Sequence, residues 1–272
     1  MIHRTTFAWR TLAPALLLAL SVPAATSAAQ GTPASASERA IASSSVLPGE
    51  FRAAPIVFSP TGPMIRGQVV GTSGHFDSPS FAKTDQIQFQ DRIYVVPPGG
   101  ASLGMSFVVV DSVATLPGGG IVMLPTGVVR IERAADGQAA TARVVEQFAP
   151  MRVGQHLLSM ENVPPATPNP SPVSEPVGAR VAWRPGAPAL PGVLQWMVLE
   201  QFEGTTYSPG DRITLVRTAK EDTRYGVTLP EEELGEAIVV RSGTHGVTAL
   251  LLNMEHGAIS EGTVARRSAR GN

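Results

Sequence analysis

The sequence predicts an all-β protein made of two tandem small antiparallel barrel-like units, related by an internal repeat and joined by a proline-rich linker. Three observations predict it. The apolar residues fall in short β-branched runs, the composition is rich in turn-forming residues, and one half of the chain repeats the glycine and strand spacing of the other.

The runs are bounded by Gly and Pro, as strands are, and no amphipathic helix of comparable length competes with them. They span residues 67–70, 93–96, 107–110, 121–124, 128–131, 142–145, 193–199, 213–216, 238–240 and 247–252. Between two pairs of runs stand Asp136-Gly137 and Ser242-Gly243, which predict hairpin turns because glycine adopts positive φ at low cost.

The composition supports the same class. The 272 residues include 27 Gly and 24 Pro, only 16% are charged, and 43% are apolar, which is enough to build real cores. Frequent turns and scarce charge favour strands over long solvated helices.

The repeat has a spacing of 106 to 108 residues and is clearest at glycines. It pairs Gly104 with Gly210, Gly127 with Gly235 and Gly154 with Gly262. It also matches Met151 with Ile259 and residues 139–142 with 247–250. Each unit is expected to be a sheet of five or six strands that closes on itself and so hides its edges.

These features divide the chain into six parts. They are a signal peptide (1–29), a flexible tether (30–48), the first β unit with an N-terminal extension (49–163), a proline-rich linker (164–178), the second β unit (179–265) and a disordered basic tail (266–272). The tether and the linker are expected to be mobile, since small polar or proline-dense segments do not pack into a core.

The N-terminus predicts export. Arg4 and Arg10 precede an apolar stretch over 12–22, and small residues suited to cleavage follow over 24–29. The expected location is periplasmic or extracellular, with no integral membrane span after cleavage. An uncleaved anchor is the alternative, although the stretch is short for a membrane-spanning helix.

The absence of cysteine excludes disulfides, thiolate metal sites and thiol catalysis. The net charge of −1 lacks the basic excess of a nucleic-acid-binding protein, so no nucleic-acid partner is expected.

Five segments resemble the β-rich region that follows the LysM peptidoglycan-binding module in bacterial cell-envelope proteins. They are residues 91–95 (DRIYV), 104–110 (GMSFVVV), 125–130 (PTGVVR), 139–145 (AATARVV) and 154–157 (GQHL). The resemblance implies an envelope location and a β scaffold. Peptidoglycan binding is not carried over, because residues 30–48 are too few for a LysM module. A looser similarity is to the C-terminal domain of a flagellar ring assembly protein.

No catalytic, cofactor-binding or metal-binding constellation is found in the sequence. Ser106 opens a strand rather than a nucleophile elbow. Among the histidines outside the signal peptide, His75 stands two residues from Asp77 and together they supply half of a tetrahedral metal site. The others, His156, His245 and His256, form no metal-binding motif, and His245 is expected to be solvated.

Four further sets of residues are of types that can bind ligands or metal ions. Glu231-Glu232-Glu233 after Pro230 predicts a solvated loop or one helical turn rather than a calcium loop. Gly118-Gly119-Gly120 predicts a flexible turn rather than a phosphate-binding loop. Trp196 favours core packing, whereas Trp183 is the better candidate for an exposed platform. The arginines near the C-terminus, Arg266, Arg267 and Arg270, predict a frayed tail.

The function that follows is a non-catalytic binding or scaffolding protein of the cell envelope, without a cofactor. Its partner is expected to be an envelope protein or a cell-wall polymer. The alternatives are a subunit of a flagellar or secretion-type ring assembly and a hydrolase with dispersed active-site residues. The sequence leaves the ligand and the oligomeric state open.

Overall fold

The structure is a computed structural model, and it describes residues 46–59, 67–72, 86–99, 102–134, 139–162, 171–173, 176–186, 194–257 and 259–270. Its elements in chain order are α1 (Pro48–Ala53), β1 (Ile56–Phe58), β2 (Gly67–Thr72), β3 (Gln86–Ile87), β4 (Arg92–Val96), β5 (Ser106–Thr115), β6 (Ile121–Arg133), β7 (Ala140–Gln147), β8 (Met151–Arg152), β9 (His156–Ser159), β10 (Ser171–Pro172), β11 (Val177–Trp183), β12 (Trp196–Gln201), β13 (Arg212–Arg217), β14 (Lys220–Asp222), β15 (Val227–Leu229), β16 (Glu232–Gly243), β17 (Gly246–Met254) and β18 (Val264–Arg270). The predicted signal peptide and most of the predicted tether lie outside the described residues.

Two closed six-stranded antiparallel barrels carry the fold. The first barrel runs β6-β5-β9-β2-β4-β7 and closes through the β6–β7 pairing. The second runs β16-β13-β18-β11-β12-β17 and closes through β16–β17, so its strands follow the same order as those of the first barrel. The prediction of two barrel-like units is therefore confirmed, and closure removes the exposed edges of an open sheet.

The paired glycines occupy equivalent places in the two barrels. Gly104 and Gly210 both have positive φ, and their N–H groups donate to Ile131 and Val239. Gly127 pairs with Val109, and Gly235 pairs with Leu215 at the matching rung. A Cβ at either of these two positions would lie 2.4 Å from a carbonyl oxygen of the neighbouring strand. That close approach explains the glycine.

The third pair, Gly154 and Gly262, has φ of 93° and 88°. Their N–H groups donate to the carbonyls of Val69 and Val181, each in the first strand of its barrel. The repeat predicted from glycine spacing is thus a repeat of backbone geometry.

One part of the sequence match is wrong by one residue. Ile93 pairs with Ala142, and its counterpart Met197 pairs with Ala249, so Ala140 is equivalent to Val247 rather than to Thr248. The later match of Met151 with Ile259 holds, since both are buried. An extra residue after β17 restores the spacing.

The predicted hairpin at Ser242-Gly243 exists, but its two turn residues are Thr244 and His245, because Gly243 still pairs with Gly246. The pair Asp136-Gly137 lies outside the described residues. Each barrel encloses its own apolar core, formed by inward-facing residues of its six strands.

A segment before the first barrel spans both barrels. Helix α1 starts at Pro48, and the carboxylate of Glu50 accepts the N–H of Leu47. Its Phe51 packs in a cluster with the outer face of β16 and β17. Strand β1 then pairs with β6 of the first barrel. We call residues 46–58 the clasp, and all the described residues belong to one compact unit.

Three predicted segments differ from the structure. The tether was expected to reach residue 48, but Val46 packs against the cluster around Phe51 and α1 begins at Pro48. Within the linker, Ser171 and Pro172 pair with β18, and β11 already begins at Val177. Residues 163–170 and 174–175 lie outside the described residues.

The predicted tail is the third difference. Residues 264–270 form β18, the strand that closes the second barrel, and the described part of the predicted tail belongs to it. The arginines fit there because Arg267 is buried beside Asp211, with 2.9 Å between its Nε and the Oδ2 of Asp211. Among the described residues, no helix is long and apolar enough to cross a membrane.

Candidate functional site

The two barrels meet through a hairpin of the first. The ends of β5 and β6 project beyond the barrel, and we call residues 111–124 the first arm. Leu116, 4% exposed, and Val122 of this arm form an apolar cluster with Val198 of the second barrel. Ala182 and Trp183 pack against the same cluster, so the receiving surface is the outer face of β11 and β12.

The turn of the first arm also touches the second barrel. A Cβ on Gly120 would lie 3.2 Å from the Cβ of His245 and 2.9 Å from Cγ1 of Val57 in the clasp. A Cβ on Gly118 would lie 3.3 Å from a carboxylate oxygen of Glu200. The glycine turn predicted at 118–120 is therefore present, and its glycines allow close approach between the barrels.

The second barrel has the equivalent hairpin. It leaves between β13 and β16 and includes β14 and β15, and we call residues 217–232 the second arm. The matching rungs are Val110 with Pro125 in the first barrel and Val216 with Glu233 in the second. Both arms therefore continue from the same two strands of the repeat.

The second arm exposes its apolar side chains, whereas the first arm buries Leu116 and Val122. Tyr225 is 69% exposed at its turn, and Val227 and Leu229 are about half exposed on β15. The guanidinium of Arg224 lies 5.4 Å from the centre of the Tyr225 ring. Apolar side chains grouped on a projecting hairpin are typical of an interaction surface.

The first barrel carries the counterpart of the receiving face. In the first barrel, Val69 of β2 pairs with Val95 of β4. In the second, Val181 of β11 pairs with Leu199 of β12, and in both barrels the register shifts at the next residue. Val70 and Val96 are therefore equivalent to Ala182 and Glu200. Val70 is 43% exposed and Val96 is 49% exposed. We call the outer side of β2 and β4 the open face, in contrast to the covered face of β11 and β12.

A separate open depression of about 610 Å³ lies beside this region on the first barrel. It is lined by Arg92, Tyr94, Leu103, Gly104, Ile131, Glu132, Arg133 and Thr141. Glu132 accepts a hydrogen bond from Arg143, and its Oε2 lies 2.9 Å from Nε of Arg92. The hydrogen bond from Arg143 lowers the pKa of Glu132 below its ordinary value.

The same three positions are apolar in the second barrel. By the strand pairings, Arg92, Glu132 and Arg143 correspond to Trp196, Val240 and Leu250. There the cluster around Phe51 covers them. The clasp thus packs on this surface of the second barrel, where the three positions are apolar. On the first barrel the same positions are charged and face solvent.

Three histidines lie in the described part of the chain, His156, His245 and His256. His245 is half-buried against Gly120 of the first arm, which corrects the expectation of a solvated residue: the arm covers it. His256 is exposed, with its Nε2 3.1 Å from Oε1 of Glu232. His156 lies on β9 opposite Gln68. His75 and Asp77 lie outside the described residues.

Glu232 and Glu233 lie in a strand rather than in the expected loop or helical turn, and Glu231 alone precedes the strand in a loop. Glu232 starts β16, and its carboxylate pairs with Arg217 at 2.6 Å, while Glu231 pairs with Arg266. Cross-strand arginines favour the extended conformation over the helix that Pro230 suggested. In the part of the chain that the structure describes, no group of three or more His, Asp or Glu side chains is placed to hold a metal ion.

The two tryptophans in the described part of the chain, Trp183 and Trp196, are partly buried. Trp196 packs against the cluster around Phe51, in keeping with its predicted packing role. Trp183, the predicted exposed platform, is instead half-buried under the first arm. Ser106 begins β5, as predicted.

Sequence reasoning missed the second arm and the open face. Residues 217–232 contain charged residues among their apolar ones, and neither the arm nor its match to residues 111–124 appears without the strand pairing. The remaining signal was the repeat itself, which relates a buried surface in one unit to an exposed one in the other.

The chain has no match among protein-family models, curated proteins or solved structures. The arrangement of arms and faces is therefore interpreted from its own geometry.

Proposed function

We propose that this chain is a non-catalytic scaffolding or binding protein of a bacterial cell envelope, and that its second arm is the surface that engages a partner protein. The observation that carries the proposal is the difference between the two arms. The hairpin of the first unit packs Leu116 and Val122 against a barrel, whereas the equivalent hairpin of the second unit exposes Tyr225, Val227 and Leu229.

The location rests on the sequence. The tripartite N-terminus supports export, and the resemblance to LysM-associated β regions supports the envelope, with an envelope protein or a cell-wall polymer such as peptidoglycan as the partner class. Edman sequencing of the protein from the periplasm or medium tests it. A mature N-terminus near residue 29 supports export, and an intact Met1 in the cytoplasm contradicts it.

The partner surface is tested by chemical crosslinking of a tagged chain in its native envelope, followed by mass spectrometry of the adducts. The test variant is Tyr225→Ser with Val227→Thr and Leu229→Thr, all at exposed positions. The control is Phe89→Ser, an exposed apolar residue before β4. Adducts lost in the arm variant and kept in the control support the proposal. Identical adducts in both variants contradict it.

A second candidate is a subunit of a ring-type assembly. In the first arm, β1 pairs with the outer edge of β6. In the second arm, β15 occupies the place of that part of β6, and its outer edge pairs with no described strand. The edge is uncharged, Val227-Thr228-Leu229, so it lacks the charges that usually protect such edges.

A further inference from the structure

We propose that the partner of the second arm is the open face of a second copy of this chain, so that copies associate head to tail. The inference rests on the proposed scaffolding function and names its partner. It follows from the contact inside the chain, where the first arm lies on the covered face of the next barrel along.

The second arm and the open face are the counterparts of the two surfaces that form this internal contact. Each chain uses one arm and one face internally and retains one arm, at 217–232, and one face, on β2 and β4. Both carry exposed apolar side chains, Tyr225, Val227 and Leu229 on the arm and Val70 and Val96 on the face. Repeating the contact between chains buries both surfaces.

The open face repeats the backbone geometry of the covered face, with Gly71 and Tyr94 in place of Trp183 and Val198. The register shift after Val69 matches the one after Val181, where Ala182 and Trp183 receive the first arm. Val96 stands where the covered face has Glu200, so the open face is more apolar at this position than the face that already binds an arm.

The contact between copies is expected to be weaker than the internal one. Val57 of the clasp fills the space between Gly120 and Gly246 in the internal contact, and no described strand supplies its equivalent to the second arm. Because arm and face are different surfaces, the contact is heterologous, and it produces a ring or an open filament rather than a two-fold dimer.

The test uses sedimentation velocity of the purified full chain over a concentration series. Two variants each remove one surface: Tyr225→Ser with Val227→Thr and Leu229→Thr for the arm, and Val70→Lys with Val96→Lys for the face. The wild type should form dimers and larger species as concentration rises. Each variant alone should associate roughly 10-fold or more weakly, as for loss of a central apolar contact, and should be monomeric at concentrations where the wild type forms dimers.

The decisive sample is an equal mixture of the two variants. The arm variant keeps its face and the face variant keeps its arm, so the mixture should form a dimer that grows no further. The control Phe89→Ser should behave as wild type, and circular dichroism should show all variants folded.

Three outcomes overturn the inference. If the wild type is monomeric throughout while crosslinks to a different envelope molecule still require the second arm, self-association is wrong and the proposed function stands. If the face variant associates as the wild type does, the arms bind each other or another surface, and the head-to-tail contact is wrong. If the wild type neither self-associates nor forms crosslinks that require the second arm, both proposals are wrong.

Discussion

The guanidinium carbon of Arg241, near the end of β16, lies 3.8 Å from the centre of the Phe51 ring in α1. Nε and Nη2 of the same guanidinium donate to the carbonyl oxygen of Phe51 at 3.2 and 2.7 Å, and Nη1 pairs with Glu161 of the first unit. Burial lowers the pKa of Arg241, and the Glu161 carboxylate opposes that shift. One side chain thus joins the clasp, the first unit and the second barrel.

The first prediction concerns Phe51. Phe51→Ala should lower the free energy of unfolding by about 3 kcal/mol, because it removes a buried ring from the cluster on β16 and β17 and leaves Arg241 without its stacking partner. Urea unfolding followed by circular dichroism measures it. The matched control is Phe89→Ala, whose ring is half exposed and should cost well under half as much. Equal losses would show that the clasp does not stabilise the barrels.

The prediction of the fold succeeded where local spacing carries the signal. Gly104 and Gly154 recur in the second unit because the same turns need positive φ, and this need is visible in a single chain. It failed for α1, which has six residues and too few turns to show a helical period. It failed for β18 because the partner of Arg267, Asp211, is distant in sequence and only the closed barrel brings the two together.

The second prediction concerns close backbone approach. Gly127→Ala and Gly235→Ala should each destabilise the protein by about 1–3 kcal/mol, since the new Cβ meets a strand carbonyl oxygen 2.4 Å away. The control is Gly49→Ala in α1, where a Cβ meets nothing within 4 Å. Thermal unfolding of the three variants gives the comparison. Unchanged stability at position 127 or 235 would mean that the strands separate easily there.

The third prediction separates backbone strain from crowding. Gly154→Ala and Gly262→Ala should cost about 1–2 kcal/mol because φ is positive, although space is open around both positions. Asparagine tolerates positive φ better than alanine, so Gly154→Asn and Gly262→Asn should recover part of the loss. No such recovery is expected for Gly127→Asn. A similar loss with Ala and Asn at position 154 would refute strain as the cause.

The fourth prediction is a pH dependence from Glu132. Its pKa is lowered in the folded state, chiefly by the hydrogen bond from Arg143, so its stabilising contribution is complete above the ordinary value of 4.5 and is lost as pH falls through the lower folded value. Titration followed by NMR should give a pKa of the Glu132 carboxyl below 4.5 in the wild type. In Arg143→Gln this pKa should be closer to 4.5. The stability difference between wild type and Glu132→Gln should shrink only in that acidic range. A difference that shrinks near neutral pH would contradict the ion pair.

The central claim is that the second arm of one chain meets the open face of another, and a photo-crosslinking amino acid in place of Tyr225 tests it most directly. Isotopically light and heavy chains are mixed, irradiated and digested, so that adducts between chains are distinguished by mass. The account predicts light–heavy adducts from position 225 to peptides containing residues 67–72 or 92–96, lost when Val70 and Val96 are changed to Lys. Adducts confined to one chain, or reaching other parts of the second chain, would contradict it.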